Sequence, residues 1–249
     1  MEQTKQQFPT EEVTLPSKGL LYPKESPLSK GVIEMKYMTA REEDILTNQN
    51  LIENGTVIDK LIESLIVTPI NYNDLLVGDK NAILVAARIL GYGKDYEFNY
   101  KGEEISVDLT SIEDKPLDES LIKEGKNEFN FTLPTSKTEV TFKFLSHKDE
   151  KAIEAELKGL KKLNKNASAE VSTRLKHLIT SVNGDFEKKT IREFVDTQLL
   201  AIDSRALRNY IADVQPDTNL IFKYEANNGD FIDIDIPINL NFFWPDAQI

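Results

Sequence analysis

The sequence predicts an α+β fold made of two tandem copies of a strand–three-helix–β-hairpin unit, an internal duplication. Three observations carry this expectation. Residues 75–100 and 199–224 align without a gap and share Leu, Leu, Asp, Ala, Phe and Tyr at six of 26 positions. Further blocks match in the same order on either side of that pair, and a repeat of this kind sets the frame for the whole fold. Strand-like and helix-like runs are also segregated rather than alternating, which favours α+β over a doubly wound parallel sheet.

Taken in order, residues 1–11 are polar and read as a flexible tail, ahead of a first repeat over 12–110. Val13 and Leu15 alternate with polar neighbours up to the turn-forming cluster Pro16-Ser17-Lys18-Gly19. Alternation over 32–38 predicts a strand. Thr39-Ala40-Arg41-Glu42 then has capping-box spacing, so a helix starts there and fades near 48–50. Thr56 is placed to cap a second helix whose apolar face is Val57, Ile58, Leu61, Ile62, Leu65 and Ile66. Asp79 is read as the cap of a third helix over 80–90, closed by Gly91. Residues 96–100 and 105–109 form a hairpin around Lys101-Gly102-Glu103-Glu104.

An acidic linker over 111–127, with a short helix within 117–123, separates this unit from a second repeat over 128–249. There Asn130-Phe131-Thr132-Leu133-Pro134 answers Glu12-Val13-Thr14-Leu15-Pro16, and 140–145 answers 33–38. Ser146 and Asp149 repeat the cap spacing, and Leu178-Ile179-Thr180-Ser181-Val182 answers Leu61-Ile62-Glu63-Ser64-Leu65. Residues 232–236 answer 105–109. The second unit adds a helical hairpin over 150–182, broken near Asn164-Lys165-Asn166. Within the frame Asp203, like Asp79, reads as a helix cap, and Leu75, Leu76, Leu199 and Leu200 read as packing residues. Phe98, Tyr100, Phe222 and Tyr224 take alternate strand positions on one hairpin face.

Composition narrows the function classes. A net charge of -12 argues against binding nucleic acid through phosphate neutralisation. With no cysteine and two histidines, thiolate chemistry is excluded and a zinc site is disfavoured. The start is polar and no apolar run reaches the ~18–20 residues that span a bilayer, so neither secretion nor a membrane is expected. There is no phosphate-loop motif and no Gly-x-Ser-x-Gly elbow; Gly91-Tyr92-Gly93-Lys94 follows a helix and reads as its stop. Glu42, Glu43 and Asp44 complement a helix start, and Asp230, Asp233 and Asp235 lie along a terminal strand where charge discourages edge pairing. No catalytic residue, metal ligand or cofactor site emerges, and the chain is expected not to be an enzyme. A carboxylate-based hydrolase is the remote alternative.

Two features offer partner contacts. Lys158, Lys161 and Lys162 sit between the apolar stripes of the helical hairpin, as a solvated face or as an arm for an acidic partner. Phe242, Phe243 and Trp244 are consecutive near the end of the sequence, as a lock on the core or as an aromatic anchor for a partner.

Leu15-Pro16-Ser17-Lys18-Gly19, the block 35–46 (Met-Lys-Tyr-Met-Thr-Ala-Arg-Glu-Glu-Asp-Ile-Leu), the block 78–91 and Phe242-Phe243-Trp244-Pro245 together resemble the baseplate hub protein family of T4-like contractile-tailed phages, over nearly the whole chain. The resemblance implies a non-enzymatic role in building the central hub of the tail baseplate by protein–protein contact. The implied partners are other tail proteins, namely hub components and the tape-measure protein, and the implied place is the host bacterial cytoplasm during assembly, with the virion baseplate as its place only if the protein stays in the particle. A transient chaperone on the tape-measure protein is the alternative within that family. Some relatives carry a Cys-x-x-Cys pair in the final hairpin; here that hairpin has Asn228-Gly229 at its turn and no cysteine, so no metal role is implied.

Overall fold

In the computed structural model, which describes residues 9–163, 169–225 and 229–244, small antiparallel sheets alternate with groups of helices in an α+β arrangement. Strand β1 (Thr10–Thr14) pairs with β2 (Val32–Lys36), in register Val13 to Ile33. Helices α1 (Ala40–Leu46), α2 (Gln49–Glu53), α3 (Val57–Leu65) and α4 (Val77–Tyr92) follow, and then the hairpin of β3 (Asp95–Tyr100) and β4 (Glu103–Asp108). The second half has β5 (Phe129–Thr132), β6 (Glu139–Phe142), α5 (His147–Leu163), α6 (Glu170–Leu178), β7 (Ile179–Val182), α7 (Lys188–Thr197) and α8 (Ala201–Val214). It closes with the hairpin of β8 (Ile221–Glu225) and β9 (Phe231–Asp235) and the short helix α9 (Leu240–Phe243). Buried side chains of both halves form one continuous apolar cluster.

Each half starts its helices in the same way. At α1 the Thr39 side chain and backbone N–H both meet the Glu42 carboxylate, and Lys36 of β2 donates to the same carboxylate at 2.8 Å. At α5 Ser146 and Asp149 make the same box, with Lys143 donating at 2.7 Å. A strand lysine, a hydroxyl cap and an acid three residues later thus recur at identical spacing. Local chemistry of this kind is legible in sequence because all its members lie within one turn.

Elsewhere the structure corrects the expectations. α4 begins at Val77 rather than Lys80 and runs past Gly91, whose missing Cβ leaves room for the Met38 side chain; Gly93, at φ +83°, stops it. Asp79 and Asp203 are not caps: both sit in the first turn, behind the capping positions Leu76 and Leu200, and turn their carboxylates to other segments. A short α2 forms where the first helix was expected to fade. The amphipathic α7, which buries Ile191, Phe194 and Val195, was not anticipated. The helical hairpin ends early, since Ile179–Val182 is strand β7 on the edge of a three-stranded sheet with β6 at its centre. Its expected break at 164–166 lies outside the described residues. Ile179 pairs with Phe142 as Ile66 pairs with Met35, so the pairing sets Ile179 beside Ile66, whereas the sequence alignment set it beside Ile62.

The termini and linker also differ. Thr10 and Glu11 belong to β1, and residues 1–8 of the expected tail lie outside the described residues. The 111–127 segment holds a short 3-10 turn at Glu119–Leu121 and β-bridges of Asp114 with Thr218 and of Lys123 with Lys126, and it binds both halves: Lys115 N–H donates to Asp217 C=O and Gly125 N–H to Leu20 C=O. Lys101 and Gly102 both take positive φ at the β3–β4 turn, the geometry that matches strand twist. Phe98, Tyr100, Phe222 and Tyr224 are all partly buried against the core, as expected. Asn228 lies outside the described residues.

Candidate interaction surface

The two halves meet at the start of α4. Leu75 C=O accepts from His147 N–H at 2.8 Å, and Val77 N–H donates to Leu145 C=O at 3.0 Å. These bonds form an antiparallel bridge between Leu76 and Ser146. Leu75 and Leu76 are covered, at 0% and 4% exposure. Gly78 lets the 216–217 loop of the second half close in, since a Cβ there would sit 1.9 Å from the Pro216 carbonyl oxygen. Asn81 then donates to Asp217 at 2.8 Å.

Beneath the bridge, Asp59 of α3 gathers polar groups from both halves. It accepts from Lys80 Nζ at 2.8 Å and from the Tyr72 hydroxyl at 3.1 Å. His147 Nε2 lies 3.4 Å from Asp59 Oδ2 without hydrogen-bond alignment, and its ring packs on Tyr72 at 4.6 Å. Burial pushes the Asp59 carboxyl up, but the Lys80 hydrogen bond and charge outweigh it and hold the group below its ordinary range. Burial and the Lys80 charge hold the His147 imidazole below its ordinary value, against the pull of Asp59.

A buried His–Asp–Lys group has the residue types of a catalytic site, but His147 is 4% exposed. What its geometry does is join α3 and α4 to α5. The sign of its pH dependence follows. His147 contributes stability that is present above the ordinary imidazole value of about 6.5 and is lost as pH falls through the depressed folded value. Asp59 adds a loss only below about pH 4. Melting temperature is therefore expected to fall as pH drops below about 6.5, and His147→Phe, which keeps an aromatic ring, is expected to flatten that fall. An unchanged slope in the variant would assign the pH dependence to other groups.

The matching place in the second half is open. Leu199 is half-buried, Ala201 is exposed, and Leu200 and Ile202 are 45% and 63% exposed. Leu200 was expected to pack like Leu76; nothing among the described residues covers it as Ser146 covers Leu76. Beside this segment runs a groove of about 580 Å³ between α6 and α8, with Val171, Leu175, Val195 and Leu199 on its walls; Arg208 lines it too, while Arg174 is ion-paired to Glu150 and to Glu170, itself a lining residue. Apolar walls beside Arg208 suit a partner that brings an apolar face and an acid to meet that arginine. A second cavity of about 310 Å³ beside β7 has Lys143, Lys176 and Arg192 already ion-paired within the chain, and His177 3.2 Å from Glu156.

The residues proposed from sequence fall elsewhere. Phe242 and Phe243 are at 0% exposure, with Phe242 edge-on to Tyr96 at 4.8 Å, so their rings pack the core; Trp244 is half-buried against it. Lys158, Lys161 and Lys162 lie exposed on α5, with Lys158 4.0 Å from Glu154. The aromatic and lysine sets thus stand on separate elements, α9 and α5. Among the described residues no cluster of three or more His, Asp or Glu side chains is placed to hold a metal ion, and no helix is long and apolar enough to cross a membrane. The open segment had one sequence signal: Ile202 stands where the aligned window has Gly78. Comparison with known protein families, with curated proteins and with solved structures finds no match to this chain.

Proposed function

We propose that this chain is a non-enzymatic assembly protein of a contractile phage tail, acting in baseplate hub construction through protein–protein contacts in the host cytoplasm. The resemblance of blocks 35–46 and 242–245 to the hub family supports the assignment. The observation that carries the mode of action is the uncovered segment 199–202 with its apolar groove beside Arg208, in a chain whose equivalent segment 75–78 is covered. Exposed apolar patches rimmed by charge mark contact sites.

The same reading treats the chain as a tandem duplication. It is supported by the recurring Lys–hydroxyl–acid box and by the two first-turn aspartates, each holding the turn after the first strand of its own half. Asp79 accepts from Ser17, next to Pro16; Asp203 accepts from Thr135 and Ser136, next to Pro134. Duplicated halves present the same surface twice, and head-to-tail packing covers one copy and leaves the other. Affinity capture of the tagged chain from phage-producing cells tests the assignment. Hub or tape-measure proteins are expected to come down with it, and capture of no tail protein contradicts it.

A further inference from the structure

We propose that the open segment 199–202 is the docking site for residues 37–40 of a second copy of this chain, head to tail. The inference rests on reading that segment as a contact surface, and adds which partner it fits. The template is inside the molecule: segment 75–77 of the first half pairs with segment 145–147 of the second. Each half carries both kinds of segment, so one of each is left over. In the first half the counterpart of 145–147 is 38–40, fixed by the shared capping box at Thr39 and Ser146.

Both leftovers have the backbone groups that the covered pair uses. Among the described residues no hydrogen bond engages Leu199 C=O, Ala201 N–H, Met38 C=O or Ala40 N–H, whereas their counterparts Leu75 C=O, Val77 N–H, Leu145 C=O and His147 N–H are all paired. Apolar surface accompanies them on both sides: Leu200 and Ile202 on one, and on the other Tyr37, at 37% exposure, with Met38 partly open. The flanking charges are complementary. Arg205 and Arg208 are exposed along α8, while Glu43 and Asp44 are exposed along α1.

The pairing is not a full replica of the internal one. Ile202 in place of Gly78 forbids the close loop approach at Pro216, so an apolar side chain replaces that backbone contact. Because the two surfaces differ, the product is an open chain with one of each left exposed, or a ring in which all are covered, rather than an isologous dimer.

Sedimentation of the full chain over a concentration series tests this, with two variants chosen to keep the fold. Ala40→Pro deletes one bridging N–H at a first helical position, where proline is tolerated. Ile202→Glu charges the other surface and suits the α8 N-terminus. Circular dichroism and melting check that both variants stay folded. Wild type is expected to grow in mass with concentration, and each variant alone to associate at least about tenfold more weakly. Mixed, the two variants are expected to stop at a heterodimer, because one intact surface of each kind remains. Wild type that stays monomeric to about 100 μM, association indifferent to both variants, or a mixture that makes no heterodimer would each overturn the proposal. Capture of tail proteins that Ile202→Glu abolishes, beside a monomeric wild type, would overturn self-association while leaving the contact surface in place.

Discussion

Replacing Asp79 with alanine is expected to cost about 3–5 kcal/mol, the range for removing one member of a buried, fully engaged polar group. The carboxylate is at 0% exposure and accepts from Ser17 N–H at 2.8 Å, Ser17 Oγ at 2.7 Å and the Tyr22 hydroxyl at 2.6 Å. Tyr22 oxygen in turn accepts from Leu76 N–H at 2.9 Å, so the network also caps α4. Burial pushes the Tyr22 phenol far above its ordinary value, with Asp79 beside it adding to the rise, which keeps the hydroxyl protonated as a donor. Alanine would strand three buried donors and loosen the helix start that carries the seam between the halves. At ~2–4 °C per kcal/mol for a chain of this size, the melting temperature should drop by about 10 °C. Asp79→Asn, which keeps one acceptor oxygen, should lose less. A loss under about 1 kcal/mol would mean that the network adds little beyond its solvated alternatives.

Phe242→Ala is expected to have a similar cost, about 3–5 kcal/mol, by the transfer and cavity terms of a buried aromatic. Its ring is at 0% exposure, edge-on to Tyr96 at 4.8 Å and to Phe243 at 5.0 Å. Through Tyr96, whose hydroxyl donates to Pro237 C=O at 3.1 Å, it fastens α9 to the hairpin of the first half. Trp244→Ala, at a half-exposed site, should cost roughly a third as much. Chemical denaturation of the two variants side by side checks the ranking. Equal losses, or a larger one at Trp244, would contradict a core role for Phe242.

What the sequence made legible was mostly local. The capping boxes at Thr39 and Ser146 and the Lys101-Gly102 turn depend on residues within a few positions, and each formed where expected. Asp79 and Asp203 were misread because an acid near a helix start ordinarily caps it; their partners Ser17, Tyr22, Thr135 and Ser136 lie 57 to 68 residues away. Ile179–Val182 reads equally well as the end of an amphipathic helix, and only pairing with β6 makes it a strand. Helix α7 was findable: Ile191, Phe194 and Val195 have helical spacing behind a polar start.

The candidate surface was hidden for a related reason. Leu76 and Leu200 occupy the same place in the aligned windows and are the same residue, so no property of either predicts that one is covered and the other is not. The difference comes from what packs against each: Ser146 bridges Leu76, and nothing among the described residues does the same for Leu200. Ile202 stands where the aligned window has Gly78, and that difference tracks the coverage. Glycine is needed where Pro216 comes to 1.9 Å of a would-be Cβ, and isoleucine is tolerated where nothing comes so close.

In the proposed function, segment 199–202 is the chain's contact with the tail assembly, reached through a bound second copy of the chain. Affinity capture from phage-producing cells, with wild type beside Ile202→Glu and with Lys161→Glu as a control on another exposed face, addresses it most directly. Wild type and the Lys161 variant should bring down hub or tape-measure proteins, and the Ile202 variant, folded by circular dichroism, should lose them. Recovery of the same tail proteins by all three forms would contradict the claim.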